Sequence, residues 1–193
     1  MPHHQPDDAP TLAVRDSFLC RVMVLLALKT TARFYRRTGA CYPISKNLIV
    51  KTSEFVHLTE AVTMEYVASN TSAPVPRVYC TFIHRHRAYI VIERVQGDTL
   101  ALALQTLSDA DRADIFAQLR RIFSELRTLL APSERIESCA GGSLRDSHIP
   151  NAGNRYGPFD TICGMVPFLL GIYLRMVREQ DSGSLASHDC RIP

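Results

Sequence analysis

The sequence predicts an α+β fold, an antiparallel sheet with one helix against it and a helical region after it. Three observations carry that reading. Residues 48–51, 77–83 and 88–94 are short runs rich in β-branched and aromatic residues, bounded by turn-forming sequence. The polar stretch 84–87 joins the last two runs as a hairpin. Residues 109–130 then carry Ile115, Leu119, Ile122, Phe123, Leu126, Leu129 and Leu130 at helical spacing.

Taken in order, residues 1–15 read as a disordered start. Residues 16–34 form a helix with Phe18, Val22, Leu25, Leu26 and Phe34 on or near one face. Residues 36–47 are turn-rich, with Gly39 and Pro43, and the strand at 48–51 ends in Lys51. Thr59 is the expected N-cap of a helix reaching about Ser69, which Ala73-Pro74-Val75-Pro76 closes. After the hairpin, Ser108 caps the long helix and Asp111 completes a capping-box-like S-x-x-D. The apolar stripe of that helix reads as core packing. Residues 131–160 are a loop region containing Gly141-Gly142 and Gly157-Pro158, and residues 161–179 a second apolar helix that Pro167 could interrupt. The expected organisation is thus 1–15 disordered, 16–98 sheet-bearing, 99–180 helical and 181–193 a loose tail.

A chain of 193 residues supports one good core, or one small lobe and one incomplete one. Its 46% hydrophobic and 21% charged residues read as globular rather than disordered. The net charge of +3 is too weak a bias for a nucleic-acid partner, which needs clustered cations. Arg33, Arg36 and Arg37 do cluster, but a solvated face explains them as well as a phosphate contact does. The Cys at 20, 41, 80, 139, 163 and 190 show no C-x-x-C or Cys/His ligand spacing, which argues against structural zinc. They read as free thiols in a reducing compartment rather than as a disulfide framework. No apolar run reaches the roughly 20 residues of a membrane span, and the start lacks the basic region of a signal peptide. A cytoplasmic protein with no membrane partner is expected.

The residues that can carry chemistry lie in the sheet-bearing part. Lys51 ends an apolar strand, where a cation needs a partner. Glu60 opens the next helix, where the helix dipole favours a carboxylate. Glu65 is the rival partner, and a merely solvated Lys is the plain alternative. A strand Lys aimed by a helix acid can grip the α- and β-phosphates of a nucleotide. The run Tyr89-Ile90-Val91-Ile92 is uniformly apolar, as in a strand buried on both faces. It passes into Glu93-Arg94-Val95-Gln96-Gly97-Asp98, either an ordinary strand exit or one whose backbone pairs with a base before Gly97 turns the chain away. No G-x-G-x-x-G occurs. Gly39 is the only Gly upstream of Lys51 that could serve a phosphate-covering turn, and a hairpin turn is the plainer reading of it.

In combination these segments resemble the fungal branch of the aminoglycoside phosphotransferase family. The resemblance runs through Phe34-Tyr35-Arg36-Arg37, Pro43 to Lys51, Glu60-Ala61, Thr71 to Tyr79 and Tyr89 to Asp98. It continues in the helix at 109–130, Gly141-Gly142 and Gly157-Pro158-Phe159. It covers about residues 30–160. It implies a protein-kinase-like fold in which 16–98 is the N-lobe and 99–180 the start of a helical C-lobe. It also implies ATP with magnesium, and phosphate transfer to a hydroxyl of a small molecule. By the same resemblance Lys51 is the phosphate-gripping Lys and Glu60 its helix partner. Ile92 guards the adenine pocket, and the Glu93 carbonyl and Val95 N–H pair with adenine.

The family's His-x-Asp loop, following Asn and second Asp have no clear counterpart. Only Ser187-His188-Asp189-Cys190 is comparable, which makes Asp189 the sole candidate base. The expectation is therefore a C-terminally truncated, inactive phosphotransferase-like domain. The alternative is a non-catalytic nucleotide-binding or protein-interaction module. Loss of most of a C-lobe would leave the apolar faces of helices 109–130 and 161–179 partly uncovered, open to self-association.

Overall fold

The computed structural model describes residues 12–130, 134–145 and 155–172. The chain forms two units that divide between Leu130 and Ala131. The first holds the sheet. Helix α1, Phe18–Lys29, starts at Ser17, whose Oγ accepts the Cys20 N–H at 3.2 Å. It ends at Thr30, and a 3-10 turn, Thr31–Phe34, follows, so the expected helix 16–34 is two pieces. The hydroxyls of Thr30 and Thr31 donate to the Leu26 and Ala27 carbonyls at 2.8 and 3.1 Å, back-bonding that favours a break there.

Strand β1, Cys41–Pro43, lies in the stretch expected to be turns. It pairs antiparallel with β2, Leu48–Lys51, and its Pro sits on a sheet edge, where a missing N–H is tolerated. Helix α2, Thr59–Asn70, follows. Its N-cap is Leu58 rather than Thr59, because the Thr59 N–H donates to His57 Nδ1 at 3.2 Å. Strands β3, Val78–His84, and β4, Arg87–Glu93, form the hairpin, with positive φ at Arg85 and His86. The sheet order is β1-β2-β4-β3, antiparallel throughout, so β4 lies between β2 and β3.

Both faces of β4 are covered, which accounts for its unbroken apolar run. On one face Ile90 and Ile92 join Val78 with Val56, Leu58 and Ala61, the last from α2. On the other, Val91, Val50, Cys80 and Phe82 meet Val24 of α1. Phe82 is fully buried and stacks on Tyr89 at 4.9 Å.

Several expectations need correction. Residues 12–15, expected to be disordered, run along the β3 edge: the Val14 carbonyl accepts the Thr81 N–H at 2.9 Å. The Val14 N–H donates to Thr81 Oγ1 at 2.7 Å, and Leu12, Ala13 and Val14 pack on the α2-side core. Cys20 and Cys80 are not free thiols but a disulfide across 60 positions, a proximity that spacing along the chain does not reveal. Cys41 and Cys163 are free thiols.

After a short helix α3, Leu100–Ala103, comes helix α4, Asp109–Arg127, capped by Ser108 as expected. It belongs to the first unit. No residue of α4 is buried, so its stripe is not core: Ile115, Leu119, Ile122 and Leu126 are half-buried, and Phe116 and Phe123 exposed.

In the second unit, bridges join Ile136 to Phe159 and Leu144 to Tyr156, and Tyr156, Phe159 and Phe168 form an aromatic cluster. Residues 162–172 are helical without a break at Pro167. No helix among the described residues is long and apolar enough to cross a membrane.

Candidate functional site

Lys51 pairs with Ile90 across β2–β4, as Ile49 does with Ile92. Directly paired residues share a face, so Lys51 lies on the face of Ile90 and Ile92, the one α2 covers. Buried Ala61 fixes the first turn of α2 on that face and sets Glu60 beside Lys51. Lys51 Nζ donates to Glu60 Oε2, and the two side chains are 31% and 30% exposed. An ion pair this accessible contributes at most about 1 kcal/mol. It aims the ammonium more than it holds the fold. Glu65 instead pairs with Arg15 at 3.5 Å, which settles the rivalry for Lys51.

Ile92 is buried in the same core, between Ile49 and Val78. Past it, the chain is strapped to its neighbours. The Glu93 N–H donates to the Arg77 carbonyl at 2.9 Å, and the Arg94 N–H to the Asn47 carbonyl at 2.8 Å. Arg94 reaches the Ser45 carbonyl at 3.3 Å and lies over the Tyr35 ring at 5.3 Å. Gln96 Nε2 donates to the Lys46 carbonyl at 2.6 Å. These contacts hold Val95 outward, and its N–H meets no acceptor among the described residues. Gly97 has φ +119°, which only glycine adopts readily, and there the chain turns away.

Glu93 stands three positions beyond Ile90, the residue level with Lys51. At strand rise that is roughly 10 Å, the order of the distance from a nucleotide's base edge to its first phosphates. The Gly39 turn lies at the Lys51 end. Thr38 and Cys41 exchange backbone hydrogen bonds of 3.2 and 2.9 Å around it, and the Thr52 N–H donates to the Ala40 carbonyl at 2.9 Å. It is a tight hairpin turn, beside Lys51 but too short to fold over a ligand.

Sequence reasoning missed His57. It is buried, and its Nδ1 takes the Thr59 N–H and lies 3.0 Å from Thr59 Oγ1, so it caps the helix that carries Glu60. A His two residues before a helix start was the available signal. A groove of about 350 Å³ is lined by Arg15, Met64, Glu65, Val75 and Arg77 among others, and none of Lys51, Glu60 or Glu93 borders it.

Asp189 lies outside the described residues. Among the described residues no three His, Cys, Asp or Glu converge as metal ligands. Comparison of the chain with family models, with curated proteins and with solved structures found no match.

Proposed function

We propose that the first unit holds an adenine nucleotide and that the chain descends from kinases of the aminoglycoside phosphotransferase type. In this reading Lys51 grips the α- and β-phosphates and Glu60 aims it. Ile92 walls the base, and the Glu93 carbonyl and Val95 N–H pair with adenine. The observation that carries the reading is the Lys51–Glu60 pair on the face of Ile92, roughly 10 Å along the sheet from the strapped exit of β4. Ancestral chemistry of this class moves a phosphate to a small-molecule hydroxyl, mostly by positioning and charge neutralisation. A cytoplasmic location goes with ATP as the ligand.

The test is thermal unfolding of the full chain against rising ATP with magnesium. The melting temperature should rise saturably, and Lys51→Ala should weaken the response by about tenfold or more, one lost charge-assisted contact. An ATP response unchanged by Lys51→Ala, or none in the parent chain, would refute the site. Transfer of labelled γ-phosphate to a panel of aminoglycosides and sugars separates an enzyme from a module that only binds nucleotide.

A further inference from the structure

Residues 17–53 contain no Asp or Glu but seven cations, Arg21, Lys29, Arg33, Arg36, Arg37, Lys46 and Lys51. Arg21 is paired with Asp16 and Lys51 with Glu60. None of the other five meets a carboxylate among the described residues. Counted over 15–37, six cations face one acid, a net +5, whereas the remainder of the chain has 16 cations and 18 acids, a net −2. Arg15 precedes α1 and pairs with Glu65, and without it the stretch 16–37, which is α1 and the residues flanking it, still holds five cations against one acid.

The same segment exposes its largest apolar side chains. Val24, Ala27 and Leu28 face the sheet, and Cys20 is tied to β3. At 100° per residue, Phe18, Val22, Leu26, Leu19 and Met23 fill an outward arc of about 140°. Phe18 is 83% exposed and Leu19 70%. The polar residue on that arc is Lys29. Just beyond the helix, Phe34 is 75% exposed with the Arg33 guanidinium 5.0 Å from its ring centre.

We propose that this face docks on an anionic lipid bilayer, with α1 lying in the interface. An apolar arc with almost no hydrogen-bonding group suits acyl chains, which offer none. The cations at the end of the arc suit headgroup phosphates and carboxylates, and Lys and Arg can reach these while their stems stay among apolar atoms. A nucleic acid would satisfy the cations but not the arc, and an apolar protein groove the arc but not the excess of charge.

The test is co-sedimentation of the full chain with vesicles of phosphatidylcholine, with and without phosphatidylserine. Binding should require phosphatidylserine and weaken with salt. Arg33→Gln with Arg36→Gln should weaken it by about 25-fold, about fivefold per cation near the surface. Leu19→Gln with Met23→Gln, at exposed positions that leave the core intact, should weaken it by about tenfold or more. Equal binding to pure phosphatidylcholine overturns the proposal, as does no binding. Retention by the Leu19/Met23 variant would mean simple charge adsorption and also overturns it. So does equal competition by an oligonucleotide, which would point to nucleic acid, or a stable dimer that loses the Phe18 face to a second copy.

Discussion

The Glu125 carboxylate of α4 takes both donors of Ser72, 53 positions earlier: the backbone N–H at 2.6 Å and the hydroxyl at 2.7 Å. It ties α4 to the segment between α2 and β3, and Tyr66 Oη of α2, donating to the Leu130 carbonyl at 3.4 Å, ties the residues just after α4 to α2. This is why a helix with no buried residue belongs with the sheet.

The bond makes stability depend on pH. The Ser72 hydroxyl first and then its N–H hold Glu125 below the usual glutamate range, against a smaller opposing effect of burial, and nearby Arg121 lowers it least. A carboxylate lowered in the folded state stabilises above its unfolded value, about 4.3, and the contribution is lost as pH falls through the lower folded value. Asp16, lowered chiefly by its hydrogen bond with Arg21, acts in the same direction. The check is therefore a difference. Urea unfolding followed against pH should fall less steeply below about pH 4 in Glu125→Gln than in the parent chain, and identical slopes would show that the bond is not made in solution.

The Cys20–Cys80 disulfide closes a loop of 60 positions. In the chain-entropy account such a loop stabilises by about 4 kcal/mol. Dithiothreitol should therefore lower the urea midpoint of the parent chain markedly. Cys20→Ser should start from the lower midpoint and ignore the reductant. In a reducing cytoplasm the reduced, weaker form is the one present. Equal midpoints with and without reductant would mean that the bond does not form.

How far the sequence could be read depended on what each signal was made of. β2, β3 and β4 were legible because β-branched runs and turn residues are local. So was the Ser108 cap, which reaches only to Asp111. β1 was hidden behind Gly39 and Pro43, because edge pairing by three residues overrides turn-like composition. The Lys51–Glu60 partnership was legible from order, but the exclusion of Glu65 required Arg15, which comes from a segment with no periodic signal. The outward face of α1 was not legible. That helix is apolar nearly all round, and only packing chose Val24 over Leu19 as the inward residue.

Lys51 and Glu60 should prove dispensable for folding. Their side chains are near one-third exposed, so Lys51→Ala should cost no more than about 1 kcal/mol in denaturant unfolding. A loss of about 3 kcal/mol or more would mark a pair that buries charge and holds structure. The site reading would then lose its main premise, that the ammonium is poised for a ligand rather than spent on the fold.

The β3–β4 hairpin stores a correctable local cost. His84 and Arg87 are paired, and the two residues between them, Arg85 and His86, have φ of 49° and 60°. Two successive left-handed residues match the right-handed twist of the flanking strands, but a side chain there clashes with backbone in a way Asn tolerates better than Arg. Arg85 points into solvent, so its replacement removes no packing. Arg85→Asn should therefore stabilise the first unit by a few tenths to about 1 kcal/mol. Unfolding should slow or refolding quicken accordingly, depending on whether the hairpin forms before or after the transition state. A destabilised Arg85→Asn would show that the turn does not hold this geometry in solution.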